Sequence, residues 1–150
     1  MNPLRLDDRQ ARLVMRLIGA SGTAVGAGSI AFPRFGLRLV GIDADGRGAG
    51  WMARLFGCRD LALCGGLAAQ SWREKPDPMW LDVLAASQVG DLVLTAWLHR
   101  RGELSRRGLA TVLLTAPPTL VACVAARLAL GQPSTVTVAG AGSTGVRPTL

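Results

Sequence analysis

LIGASGTAVGAG, residues 17–28, decides how the rest of the chain is read. Two structures compete for it. In a nucleotide-binding loop, residues 13–18 would be a strand and Gly19, Gly22 and Gly26 a turn. LRLVGIDAD from Leu37 would be a second strand, bringing Asp43 to where a ribose-binding acid belongs. In a helix, Gly22 and Gly26 stand four apart, as do Ala24 and Gly28, so small residues stack along one side and let another helix approach closely. The spacing departs from G-x-G-x-x-G, and Arg16 would interrupt a strand that should be buried on both faces. A doubly wound fold also needs alternating strands and helices downstream, whereas three long Ala-, Leu- and Gly-rich runs follow. The helical reading is favoured, and Gly22, Gly26 and Gly28 become helix-packing candidates.

The length of uncharged sequence around this stretch names the solvent. From Leu17 to Pro33 there is no charge, and from Gly108 to Ala126 there are nineteen residues without one. A helix needs about 20 residues to cross roughly 30 Å of hydrocarbon. Two middle segments, Trp51 to Trp72 and Trp80 to Trp97, are as long but carry ionisable groups: Arg54, Arg59 and Asp60 in one, Asp82 and Asp91 in the other. All four tryptophans of the chain fall at the ends of these two segments, where indole rings favour a membrane interface. The expectation is an all-α bundle of four transmembrane helices, near 13–33, 50–72, 79–98 and 108–130, filling a domain of residues 1–130. A flexible Gly-, Ser- and Thr-rich tail, residues 131–150, follows, with STVTVA able to form a short strand.

Composition agrees with this environment. Of 150 residues 49% are hydrophobic, yet there is no tyrosine and only three phenylalanines, so a water-soluble core would lack large side chains. Mean hydropathy is +0.31. A net charge of +7 raises nucleic acid as a partner, but the arginines are scattered between apolar runs, with no aromatic platform and no DNA-binding motif, so none is expected. Lys75 is the only lysine among 17 basic residues, a bias typical of high-GC bacterial coding. Cys58, Cys64 and Cys123 make neither a disulfide set nor a C-x-x-C pair and read as packing residues; with His99 the only histidine, no metal site, cofactor or catalytic set is expected. Asp7 and Asp8 occupy what would be the positive region of a signal peptide, so none is expected.

Charge inside the two middle segments is the candidate site. They are joined by the polar turn REKPDP, residues 73–78, with Asp77 placed as N-cap and Pro78 as first helical residue. Counted from that turn, Arg59 and Asp91 lie about 20 and 16 Å deep, close enough to meet, with Asp60 at similar depth. Arg54, nearer the far interface, snorkels. Ser87, Gln88 and Thr95 share the Asp91 face. Each unpaired charge near mid-membrane would cost at least about 2.5 kcal/mol, so Arg59, Asp60, Asp91 and Gln88 are expected to form one buried network. Pro117 and Pro118 are expected to kink the last helix, with Thr115 and Thr119 compensating for lost backbone donors.

The segments ARLFGCRDLALCGGLA, residues 53–68, and SQVGDLVLTAWL, residues 87–98, resemble a family of small four-helix integral membrane proteins of actinobacteria that share a domain of unknown function. An R-x-L-G-x-R-D-x-x-L-G-like second helix followed by a G-D third helix carries the resemblance, over residues 12–130. Cys64 departs from the small residue found there, and a second acid after G-D is missing. The resemblance implies a four-helix membrane fold and no particular activity or cofactor.

Three functions follow as expectations. The first is a structural or partner-binding membrane component, acting as a homo-oligomer or with a membrane protein partner in the lipid bilayer. The second is a proton-coupled small-solute transporter or channel component using Arg59 and Asp91. The third is a soluble Rossmann-like nucleotide-binding enzyme. A bacterial inner membrane is the expected location, and the basic loops after the first and third helices favour both chain ends lying outside the cytoplasm.

Overall fold

A computed structural model of the chain describes residues 6–39 and 48–131. Five helices occupy them in the order α1 (Asp8–Ala31), α2 (Pro33–Leu39), α3 (Ala49–Gln70), α4 (Met79–Arg100) and α5 (Arg106–Leu130), and no strand occurs among the described residues. Residues 13–18 and the glycines that follow lie inside α1, so the nucleotide-loop reading fails at its first element. Asp43 and the tail from residue 132 lie outside the described residues.

Local chemistry sets the helix ends. Helix α1 starts five residues before the apolar run because Asp7 and Gln10 form a capping box: Asp7 Oδ1 accepts from the Gln10 N–H at 2.6 Å, and Gln10 Oε1 accepts from the Asp7 N–H at 2.9 Å. The helix ends at Ala31 because Phe32, at φ −127° and ψ 61°, precedes Pro33, whose ring disfavours a helical neighbour. The expected helix 13–33 is thus α1, ending two residues earlier, and a short helix not expected from the sequence, α2, starts at Pro33. Helix α4 begins at Met79, as the expected range 79–98 has it, but Pro78 and not Asp77 stands at its N-cap; Asp77 Oδ1 still accepts the Met79 N–H at 2.9 Å. Helix α5 is capped by Ser105, whose Oγ accepts from the Gly108 N–H, and it continues through Pro117 and Pro118. The carbonyls left without donors by the prolines belong to Leu113 and Leu114. The threonine hydroxyls do not donate to them: Thr115 donates to Thr111 and Thr119 to Thr115, at 2.9 and 2.8 Å.

The four long helices alternate in direction. Gly19 meets Ala68 and Gly26 meets Leu61, so α1 and α3 are antiparallel; Gly66 meets Trp80 and Arg59 meets Asp91, so α3 and α4 are too. Asp82 pairs with Arg127, which runs α5 against α4, and α5 returns to touch α1. One end of the ring holds the apolar core, with Ala11, Met15, Cys64, Leu67, Leu81, Leu84, Cys123 and Ala126 buried together.

Away from that core, small residues fill the helix contacts and large aliphatic ones face outward. Gly19, Gly26, Ala53, Gly57, Gly108 and Ala116 are buried, while Leu17, Val25, Leu55, Val93, Leu114, Val121 and Leu128 are exposed. In water such aliphatic surface would be an aggregation face. In hydrocarbon it is the solvated face. Three of the helices, α1, α4 and α5, are long and apolar enough to cross a membrane, and the chain is read as a membrane protein.

Candidate functional site

The α1–α3 seam positions everything else. A side chain at Gly26 would stand 2.7 Å from the Leu61 nitrogen and 2.8 Å from the Gly57 carbonyl oxygen; one at Gly57 would stand 2.7 Å from the Gly26 carbonyl oxygen. Glycine is required on both sides because backbone rests on backbone. Gly22 meets the Cys64 side chain and Gly19 the Ala68 backbone, whereas Gly28 has open space beside it. Of the three packing candidates, Gly22 and Gly26 face α3 and Gly28 does not. Gly19, named from the sequence only as a turn glycine of the nucleotide-loop reading, and Gly57, not singled out, complete the seam.

Across α3 the approach to α4 is much looser, and charge bridges it. The Arg59 guanidinium donates to both oxygens of Asp91, Nη1 to Oδ1 at 2.8 Å and Nη2 to Oδ2 at 3.0 Å. It also donates from Nε and Nη2 to Oδ1 of Asp60, at 3.0 and 2.9 Å. A bidentate fork of this kind fixes orientation as well as distance. Phe56 lies under the same guanidinium, 5.3 Å from its ring centre. Arg54 donates to the Ile30 carbonyl at 3.4 Å, tying the start of α3 to the end of α1.

The three charged side chains are not sealed between helices. Roughly a third of each remains accessible, 34% for Arg59, 30% for Asp60 and 27% for Asp91, because they form one wall of a cavity of about 730 Å³ to which all five helices contribute. Gln88 lines the same space, and Gly28 opens onto it. Thr95 is buried and Ser87 half-buried, but neither is part of the lining. Sequence reasoning missed the hydroxyls of the lining, Thr111, Thr115 and Thr119 on α5 with Ser21 and Ser29 on α1. Their signal was legible: three threonines four residues apart draw a hydroxyl stripe down an otherwise apolar helix. Phe32 and Phe35, from the α1–α2 corner, also line the cavity, and Cys64 and Leu84 border it where the apolar core begins.

Two further arginines act at the other end of the bundle. Arg12 pairs with Asp8 at 2.8 Å and donates to the carbonyls of Arg73 and Glu74, holding the α3–α4 turn. Arg16, which broke the apolar run, stacks on Trp72, 3.9 Å from the ring centre. Trp51, Trp72 and Trp97 are exposed as interfacial rings would be; Trp80 instead packs its ring on Gly66. No protein-family model, curated protein or solved structure matches the chain.

Proposed function

We propose that this chain is a four-span protein of a bacterial inner membrane that binds and passes a small solute, coupled to protons, through the cavity between its helices. One observation carries the reading: the Arg59–Asp60–Asp91 network borders an open, hydroxyl-lined space, where a purely structural clamp would be enclosed. Binding sites in bundles are built from such inward-facing groups, and ionisable residues within spans commonly mark a solute or proton path. Helix α3 is the fourth span in this reading despite its charges. It has 22 residues, runs antiparallel to α1 from Gly57 to Ala68, and has its central arginine neutralised. The clustering of Arg34, Arg38, Arg100, Arg101, Arg106 and Arg107 at one end of the bundle supports a cytoplasmic location for those loops.

Flux through vesicles containing the purified protein is the test. Asp91→Asn should abolish solute-driven proton movement while the protein remains folded by its tryptophan emission; undiminished flux would reject the reading. Span number is checked separately with an impermeant maleimide. In a chain with its native cysteines removed, Gly48→Cys and Lys75→Cys should label from opposite sides of the membrane, and labelling from the same side would remove α3 as a span.

The second reading, a structural or partner-binding component acting as a homo-oligomer or with another membrane protein, is favoured by the bidentate Arg59–Asp91 fork, which fixes the α3–α4 register by itself. A chain that runs as a defined oligomer in detergent, with normal assembly in cavity variants and no flux, would support it.

A further inference from the structure

We infer that the cavity takes an organic cation with an ammonium or guanidinium head and an apolar body. This rests on the solute-binding reading above and names the class of solute. The charge balance is the first ground. Two carboxylates share one guanidinium, and among the described residues no other charged side chain lines the space, so this wall carries one surplus negative charge. Both Arg59 bonds to Asp60 end on Oδ1, which leaves Asp60 Oδ2 outside the clamp. Four hydrogen bonds to the carboxylates engage the guanidinium, which has five N–H groups, so it offers an anion little.

The hydroxyls give an independent ground. Thr111, Thr115 and Thr119 donate to the carbonyls of Arg107, Thr111 and Thr115 at 3.0, 2.9 and 2.8 Å, and Ser21 donates to Ile18 at 3.1 Å. A hydroxyl has one proton and two lone pairs. With the proton spent on its own helix, each of these oxygens can only accept from a ligand. Apart from the Gln88 amide and the Ser29 hydroxyl, the polar lining therefore offers acceptors, which suits N–H groups bearing positive charge. A bare metal ion would leave most of about 730 Å³ unfilled, a volume within the usual range for small organic ligands. Ile18, Val25 and Leu84 supply apolar surface for the body, and Phe32 and Phe35 add ring faces that attract cations.

The experiment is ligand binding to the purified, detergent-solubilised protein, followed by tryptophan fluorescence and calorimetry. Three probes of one shape but different charge are compared: benzylammonium, benzyl alcohol and benzoate. Benzylammonium should bind saturably and at least about tenfold more tightly than the other two, the size expected for one charged hydrogen bond. Asp60→Asn should lower its affinity by a similar factor while lowering the melting temperature of the ligand-free protein less than Asp91→Asn does, because the Arg59–Asp91 fork between the helices is retained. The wild-type comparison holds even if that variant fails to fold. Saturable binding of benzyl alcohol or benzoate as tight as that of the amine would overturn the cationic assignment and leave solute binding standing. Absence of saturable binding by all three at millimolar concentration would overturn both.

Discussion

Helix α3 has two neighbours held by opposite means: against α1 it rests backbone on backbone through Gly26 and Gly57, and against α4 it stands off and reaches across with Arg59. The first seam leaves no room for a side chain. The second leaves a cavity of about 730 Å³. In lipid, where apolar side chains gain nothing by leaving solvent, close van der Waals contact and polar bridging are the two available attractions, and this helix uses one on each face. The difference teaches that rigidity and access are separated by helix face: the glycine seam sets the position of α3, so that the charged face can stay open without the bundle losing its register.

The largest expected effect breaks the charged seam. Arg59→Ala would leave Asp60 and Asp91 facing each other in a low-dielectric wall with no counter-charge, and should destabilise the folded protein by about 3 kcal/mol or more, measured by SDS-induced unfolding in mixed micelles. Asp91→Asn should cost less, about 1–2 kcal/mol, because a neutral Arg59–Asp60 pair survives on α3. Equal losses from the two variants would mean that the network acts only as a bridge between helices and that its charge balance is irrelevant. For the glycine seam, Gly26→Leu should cost about 2–3 kcal/mol by prising α1 from α3, read from the same unfolding curve. Gly28→Leu, pointing into open space, should leave stability close to wild type, and a comparable loss there would place the seam on the wrong face of α1.

That last pair also explains which parts were legible in the sequence. Gly22 and Gly26 are four residues apart and so lie within about 40° of each other, whereas Gly26 and Gly28 are about 160° apart and cannot serve one seam. Small residues could be counted from the text, but the phase of the helix could not be fixed without knowing which side α3 occupies. The meeting of Arg59 and Asp91 was legible because a six-residue turn ties two straight helices, so depth can be reckoned along each from a common origin. The break at Phe32 was obscured because the apolar run continues through it; Pro33 was its only mark. The threonine stripe could be counted in the sequence, but its role could not be read there. A hydroxyl that returns its proton to its own helix is tolerated in lipid, and Thr115 and Thr119 were read only as partners for the carbonyls freed by the prolines until the structure placed all three threonines in the same cavity as the carboxylates.

The smallest expected effect sharpens the comparison by repeating its chemistry elsewhere. Asp82 and Arg127 form a second arginine–aspartate pair between antiparallel helices, with Nε at 3.1 Å from both carboxylate oxygens. Its side chains are more exposed, 55% for Asp82 and 39% for Arg127, and it lies in the first turn of α4 and the last turn of α5. At such an end each charge retains its own water, so the pair gains little from meeting, and Arg127→Gln should change stability by no more than about 1 kcal/mol. Raising the salt concentration should shrink even that difference, since exposed pairs are screened and enclosed ones are not. A loss as large as that from Arg59→Ala would place the hydrocarbon boundary beyond the helix end. The contrast between α3's two faces would then owe less to the depth of the charge than to the arginine–aspartate bond itself.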